Sequence, residues 1–172
     1  MSDDRRAFFR GLVRSAAEMA GPPPPPPPAP EEPAFSVDRY SRQLVLPEWS
    51  ELAQLSLQEA SVLVIGAGAL GSPVAAYLTG AGVGRIGIVD FDVVEVSNLP
   101  RQWLHFTPDV GVAKPESAAA KLRYLNPEAL VEPYYARFNQ AMLEGADLVV
   151  DCSDSFETRY EVNAACCAAL TS

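Results

Sequence analysis

Ser61-Val62-Leu63-Val64-Ile65-Gly66-Ala67-Gly68-Ala69-Leu70-Gly71 is the stretch that decides the fold. A short apolar run rich in branched residues ends at a G-x-G-x-x-G loop, and helical spacing follows from Leu70 to Ala81. Such a run, bounded by glycine, reads as a buried strand. The motif gains meaning from this strand–loop–helix setting. Gly66 permits the tight turn, Gly68 lets the main chain approach a phosphate, and Gly71 allows close helix–sheet packing. Ala69 fills a variable position of the same loop. The helix start adds free N–H groups and a positive dipole end, which suit an anion.

Working outward, the helix is expected to turn Leu70, Val74, Tyr77 and Leu78 inward. Gly82 and Gly84 lead into a second strand, Arg85 to Val89. Asp90 closes that strand nineteen residues beyond Gly71, where an acid commonly accepts hydrogen bonds from a ribose. Asp92 follows on a loop at the carboxyl end of the sheet, where ligands bind. Pro115 to Leu125 is predicted helical and is stopped by Asn126-Pro127. Ala129 to Tyr135 reads as a strand, Asp147 to Cys152 as another buried strand, and Phe156 to Leu170 as a final helix. This alternation implies an α/β fold: a Rossmann-like, doubly wound, mostly parallel sheet. It implies a nucleotide without saying which, since an NAD-dependent dehydrogenase shows the same spacing.

Three segments are expected. Residues 1–20 read as an amphipathic helix, with Phe8, Phe9, Leu12, Val13 and Met19 among Arg5, Arg6, Arg10 and Arg14. Arg5-Arg6 is similar to a twin-arginine export signal, but Arg14 and Glu18 interrupt the apolar part. Residues 21–34 form a proline-rich linker; Pro22 to Pro28 is unbroken and extends at about 3.1 Å per residue. Residues 35–172 form one nucleotide-binding domain.

The formal charge of −9 argues against a nucleic-acid partner, which normally calls for a basic surplus. It leaves a nucleotide open, because backbone N–H groups and a few placed cations act locally. No apolar run approaches the roughly 20 residues that span a bilayer. The three cysteines, Cys152, Cys166 and Cys167, have neither disulfide nor zinc-knuckle spacing. Cys166 and Cys167 would point roughly 100° apart on a helix. A reducing cytoplasm is the simplest home.

The segment from Val89 to Lys114 separates the chemistries. Hydride transfer has no need of Asn98, Arg101 and Lys114 gathered over phosphates. Cleaving the α–β bond of ATP does, because negative charge builds on the α-phosphoryl and the departing pyrophosphate.

Four further motifs occur in order. Arg39-Tyr40-Ser41-Arg42-Gln43 comes before the glycine loop. After it stand Asp90-x-Asp92-x-Val94-x-x-Ser97-Asn98-Leu99-x-Arg101-Gln102, then Val110-Gly111-Val112-Ala113-Lys114, then Asp151-Cys152-Ser153-Asp154. Together they resemble the hallmarks of the ThiF/MoeB/HesA adenylyltransferases, which are homologous to ubiquitin-activating enzymes.

The resemblance implies ATP-dependent adenylation of the terminal glycine carboxylate of a ubiquitin-fold sulfur-carrier protein, with release of pyrophosphate. It implies that Asp90 holds the ribose, and that Asn98, Arg101 and Lys114 contact the phosphates, with Gln102 and Asp92 beside them. Asp154 resembles the family's Mg²⁺-linked carboxylate. Arg42 resembles the arginine that family dimers pass to the neighbour's ATP, so a homodimer is expected. Zinc is not expected, because both Cys-x-x-Cys pairs of the family are absent, and the domain reads as shortened on its C-terminal side. A non-catalytic nucleotide-binding and dimerisation module is the alternative. A dehydrogenase is a weaker one, since no hydride-transfer site is left over.

Overall fold

A computed structural model describes residues 35–170. The helix expected over residues 1–20 and the linker over 21–34 lie outside the described residues. Four strands form one sheet: β1 (Ser61–Ile65), β2 (Arg85–Asp90), β3 (Leu130–Tyr135) and β4 (Leu148–Asp151). All neighbours pair in parallel, in the order β3-β2-β1-β4. The chain therefore leaves β1 toward β3 and returns on the other side with β4. Ligands of such sheets bind where the order reverses, at the carboxyl ends of the strands. Here that place lies between β1 and β4.

Helices cover both faces. Val62, Val64, Ile86, Ile88 and Val131 pack on one face with Ala75 and Ala76 of α3 (Gly71–Ala81) and Ala118, Ala119 and Leu122 of α4 (Lys114–Leu125). Leu63, Ile65 and Val89 pack on the other with Phe138 and with Val162 and Ala165 of α5 (Phe156–Leu170). A cavity of about 20 Å³ beside Gly87 and Tyr134 on this second face has room for about one water. No helix among the described residues is long and apolar enough to cross a membrane.

Two expectations are corrected. Leu70 and Tyr77 do not face inward; they are 59% and 77% exposed, and α3 instead buries Gly71, Ser72, Ala75, Ala76 and Thr79. The helix is apolar almost all round, so its periodicity does not choose a face. The close approach of Gly71 to β1 chooses the small-residue one. β4, expected as a buried strand, is an edge strand that is exposed or half-buried along its length. Pro133 falls on the opposite edge strand, β3, where its missing N–H costs least.

Two helices not anticipated from the sequence precede the sheet: α1 (Val37–Leu44), capped by Ser36, and α2 (Glu51–Glu59), capped by Ser50. They are fastened through buried polar side chains as well as through Tyr40 and the core-packed Leu57. Gln54 is fully buried; its Nε2 donates to the Ala81 carbonyl at 3.1 Å, and its Oε1 accepts from Trp49 and Gln43. Asn126, at the end of α4, donates to the Thr79 carbonyl and the Tyr40 hydroxyl, both at 2.9 Å. The Tyr40 hydroxyl in turn donates to Glu128. Burial, together with the Glu128 charge and against the Asn126 hydrogen bond, raises the Tyr40 pKa, so the phenol stays neutral.

Removing one member of this network leaves buried partners unpaired. Asn126→Ala is expected to lower the unfolding free energy by about 1–3 kcal/mol, read as a lower urea midpoint at unchanged slope. An unchanged midpoint would mean that the network holds nothing.

Candidate functional site

The glycine loop crosses the top of the switch point. Gly66 has φ +96° and its N–H donates to the Val89 carbonyl at 2.7 Å. A Cβ there would stand 2.9 Å from the Cys152 carbonyl oxygen. Gly71 runs closer still: its Cβ would lie 1.7 Å from the Gly66 carbonyl oxygen. At Gly68 the nearest atom would be Gln102 Nε2 at 3.6 Å, an ordinary contact. Gly68 and Ala69 present N–H groups with no acceptor among the described residues, and the Gly68 carbonyl accepts from Ser72 to start α3.

Ala67 is pinned at both ends. Its N–H donates to Asp90 Oδ2 at 2.8 Å, while Asp90 Oδ1 accepts from the Asp92 N–H at 2.8 Å. Its carbonyl accepts from His105 Nε2 at 2.9 Å.

The segment between β2 and α4 lies beside this loop. It is closed by a bridge between Val93 and Ala113 and by hydrogen bonds joining Val94 to Val112 and Gly111. Asn98 is buried, and its Oδ1 accepts from the Glu95 N–H within its own 3₁₀ turn. Arg101 is exposed and tethered by one Nη1 bond to the Ser97 carbonyl. Gln102 is buried with its Oε1 unpaired. Lys114 Nζ meets Asp92 Oδ2 at 2.8 Å, the lysine side chain 8% and the aspartate 52% exposed. A buried ammonium is held in register by a carboxylate that reaches solvent.

Asp154 sits exposed on the loop after β4. The same loop is braced by Ser153, which donates twice to Asp151, and by Arg159, which donates to the Ser153 carbonyl. Arg42 stands apart. Its helix α1 docks on the carboxyl ends of α3 and α4, through Gln43 to Ala81 and Arg39 to Leu125. That is the end of the sheet opposite the glycine loop. Arg42 is exposed and has no ionic partner among the described residues. Within one chain, then, Arg101, Gln102, Lys114, Asp92, Asp90 and Asp154 share the carboxyl end of the sheet, and Arg42 does not.

Sequence reasoning missed His105, the chain's single histidine. Its Nδ1 meets Ser117 Oγ at 2.9 Å, and Ser117 Oγ accepts from Lys121 at 2.8 Å. The Ala67 carbonyl can only accept, which puts the imidazole proton on Nε2 and leaves Nδ1 to accept from Ser117. Cys152, half-buried behind the glycine loop, has its thiol pKa raised by burial and by Asp151, which suits packing better than nucleophilic chemistry. Among the described residues, no group of three or more His, Cys, Asp or Glu side chains is set to hold a metal.

Residues 40–172 match the ThiF family. The chain is 53% identical over 144 residues to the adenylyltransferase and sulfurtransferase MOCS3 of Sus scrofa, covering 80% of this chain and 32% of that protein. It is 51% identical over 131 residues to the sulfur carrier protein adenylyltransferase of Thermus thermophilus, covering 74% of this chain and 48% of that one. The chain thus spans about a third to a half of the length of these relatives. The E. coli tRNA N6-threonylcarbamoyladenosine dehydratase TcdA, solved with ATP, superposes with a TM-score of 0.72 at 30% identity, over 77% of this chain and 56% of that one.

Two outcomes follow from the geometry. Gly71→Ala forces a Cβ into a carbonyl oxygen and is expected to lower the unfolding free energy by on the order of 3 kcal/mol. Gly68→Ala meets only an ordinary van der Waals contact with Gln102 and is expected to stay within about 1 kcal/mol; equal losses in urea titrations would contradict the loop geometry.

The second concerns pH. Burial holds the His105 pKa below its ordinary 6.5, aided by Lys121 and Lys114 and opposed by the Ala67 carbonyl and Asp109. The folded state then binds fewer protons than the unfolded chain. Its stability contribution is complete above pH 6.5 and declines as pH falls toward the folded pKa. His105→Gln is expected to flatten that decline; parallel stability–pH curves for the two proteins would refute the assignment.

Proposed function

The chain belongs to the ThiF family, and from that premise we propose that it binds ATP and adenylates the terminal glycine carboxylate of a ubiquitin-fold sulfur-carrier protein. One observation carries the reading: two unpartnered N–H groups of the glycine loop lie beside a segment that bears the buried Lys114 ammonium and brings Gln102 into contact distance of Gly68. This arrangement suits a polyphosphate better than a nicotinamide, and it lies on a fold shared with an ATP-bound structure.

Each residue has a role under this reading. Asp90 holds the ribose; both its oxygens already accept one N–H, and each keeps a lone pair for a hydroxyl. Gly66, Gly68, Ala69 and Gly71 form the phosphate cradle, and Asn98 shapes the turn that carries Arg101. Lys114, preset by Asp92, and Arg101 take up charge on the phosphates, while Gln102 Oε1 gains a partner in the bound nucleotide. Asp154 is the carboxylate for Mg²⁺, an ion that commonly binds through one or two carboxylates together with substrate phosphates. Bound there, Mg²⁺ would supply charge neutralisation across the phosphate oxygens.

The chain's own work is positioning. A carrier carboxylate oxygen forms a bond to the α-phosphorus as the α–β bridging bond breaks. Pyrophosphate departs with the electron pair, toward Arg101 and Lys114. In-line placement and fixed charge account for the rate, and no side chain need become a nucleophile.

Arg42 lies beyond reach of its own glycine loop, so its role requires a second copy. We therefore assign the active form as a homodimer in which each Arg42 serves the partner's ATP.

ATP–pyrophosphate exchange by the full chain with a ubiquitin-fold carrier tests the reading. Arg101→Ala and Lys114→Ala are each expected to reduce exchange by about 100-fold, and mixing Arg42→Ala with Arg101→Ala chains should restore part of it. ATP binding without exchange would make the chain a nucleotide-binding module, and preference for NADH would sink the proposal.

A further inference from the structure

We propose that His105 is a positioning residue for the nucleotide: by holding the Ala67 carbonyl, it turns the Gly68 N–H toward the phosphates. The assignment rests on the ATP reading above. None of the peptide bonds described is cis, and in a trans peptide the C=O and the following N–H point opposite ways. With the Ala67 carbonyl directed at His105, the Gly68 N–H must emerge on the other side. No acceptor among the described residues meets it there.

The peptide needs such a hold. Gly66 and Gly68 flank Ala67, and glycine resists peptide rotation least of all residues. Side chains fix two successive peptides. Asp90 takes the N–H of the Gly66–Ala67 unit, and His105 takes the carbonyl of the Ala67–Gly68 unit at 2.9 Å, with the Ser72 hydroxyl on the same oxygen at a longer 3.4 Å. His105 is 2% exposed and is itself braced, with Ser117 on Nδ1, Lys121 on Ser117, and Asp109 paired with Lys121. The chain of contacts runs from the surface of α4 to the loop that would carry the phosphates. Lys121 donates to Ser117, which has Nδ1 of His105 and the Asp109 carboxylate within reach of its single proton. The ion pair at its outer end is partly buried, which restrains Lys121 and through it the serine.

A merely structural histidine would serve equally well through either nitrogen, and that distinction is testable. Glutamine places an amide nitrogen near the Nε2 position and keeps the donor to Ala67. Asparagine reaches only the Nδ1 position, so it keeps contact with Ser117 and loses Ala67. Both shorten the packing of the ring. ATP dissociation constants by calorimetry and melting temperatures are compared for the full chain as wild type, His105→Gln and His105→Asn.

Melting should fall similarly in both variants, while affinity splits. The glutamine variant is expected to stay within about threefold of wild type, and the asparagine variant to weaken about tenfold or more. Equal affinities in the two variants, high or low, overturn the proposal. A wild-type chain that does not bind ATP overturns the nucleotide reading first and this assignment with it. If neither variant folds, ¹⁵N spectra of the wild type decide. The imidazole must carry its proton on Nε2 and the Gly68 amide must shift on ATP addition; an Nδ1–H tautomer or an unmoved Gly68 refutes the role.

Discussion

A backbone-on-backbone contact governs the molecule. Gly71 passes so near the Gly66 carbonyl that a Cβ would overlap it at 1.7 Å, and no side chain larger than hydrogen can occupy that place. The contact draws the first turn of α3 onto the end of β1 and fixes which face of the helix meets the sheet. Ser72, Ala75, Ala76 and Thr79 then fall on the inner side, and the larger Leu70 and Tyr77 are left outside. Thr79 avoids an orphaned hydroxyl by donating to the Ala75 carbonyl one turn back. Small side chains also let the helix lie close over Val62 and Val64, so a single glycine sets the depth of the first core.

The same contact dictates what the loop can offer a ligand. With Gly66 bent to positive φ against the Cys152 carbonyl, the loop's inward-facing groups are consumed by β2, Asp90 and His105. Gly68 and Ala69 keep their N–H groups without an acceptor among the described residues. An acidic chain can thus present donors to an anion without a basic surface, because the field that matters is set by oriented N–H groups within a few ångströms. Lys114 illustrates the local character of this balance. Its ammonium is nearly buried, a costly state for an isolated charge, and Asp92 compensates it from a position open to solvent.

How much of this is legible in the residues varies by element for physical reasons. β1, β2, α4 and α5 can be read to within a residue or so, because branched apolar runs, Asn126-Pro127 and the glycine spacing are local signals. α1 and α2 are not: Val37, Tyr40 and Leu44 do repeat at helical spacing, but the run is only eight residues long, and the docking goes through Gln43, Gln54 and Asn126 by polar bonds spanning up to 86 residues, partners that a local pattern does not name. The exposed flank of β4 is equally hidden, since Leu148-Val149-Val150 reads the same at an edge as at a centre. His105 escaped notice because its partners, Ala67 and Ser117, lie on separate elements. The one signal was its isolation: a lone histidine three residues past Gln102 in a loop otherwise rich in motif residues.

Arg42 shows how topology constrains function beyond any contact list. In a parallel sheet every strand delivers its carboxyl end to one rim, and the helices that follow return their own carboxyl ends to the opposite rim. α1 is tied to the latter, through Ala81 and Leu125. No rotamer of a single arginine crosses the length of the strands, so its charge cannot serve the glycine loop of the same chain. Under the proposed assignment of Arg42 to the phosphates, that cation would come from another copy, and the site would be completed by dimer formation. A two-fold arrangement does this twice over, because the symmetry that brings one Arg42 to a neighbour returns the neighbour's to the first.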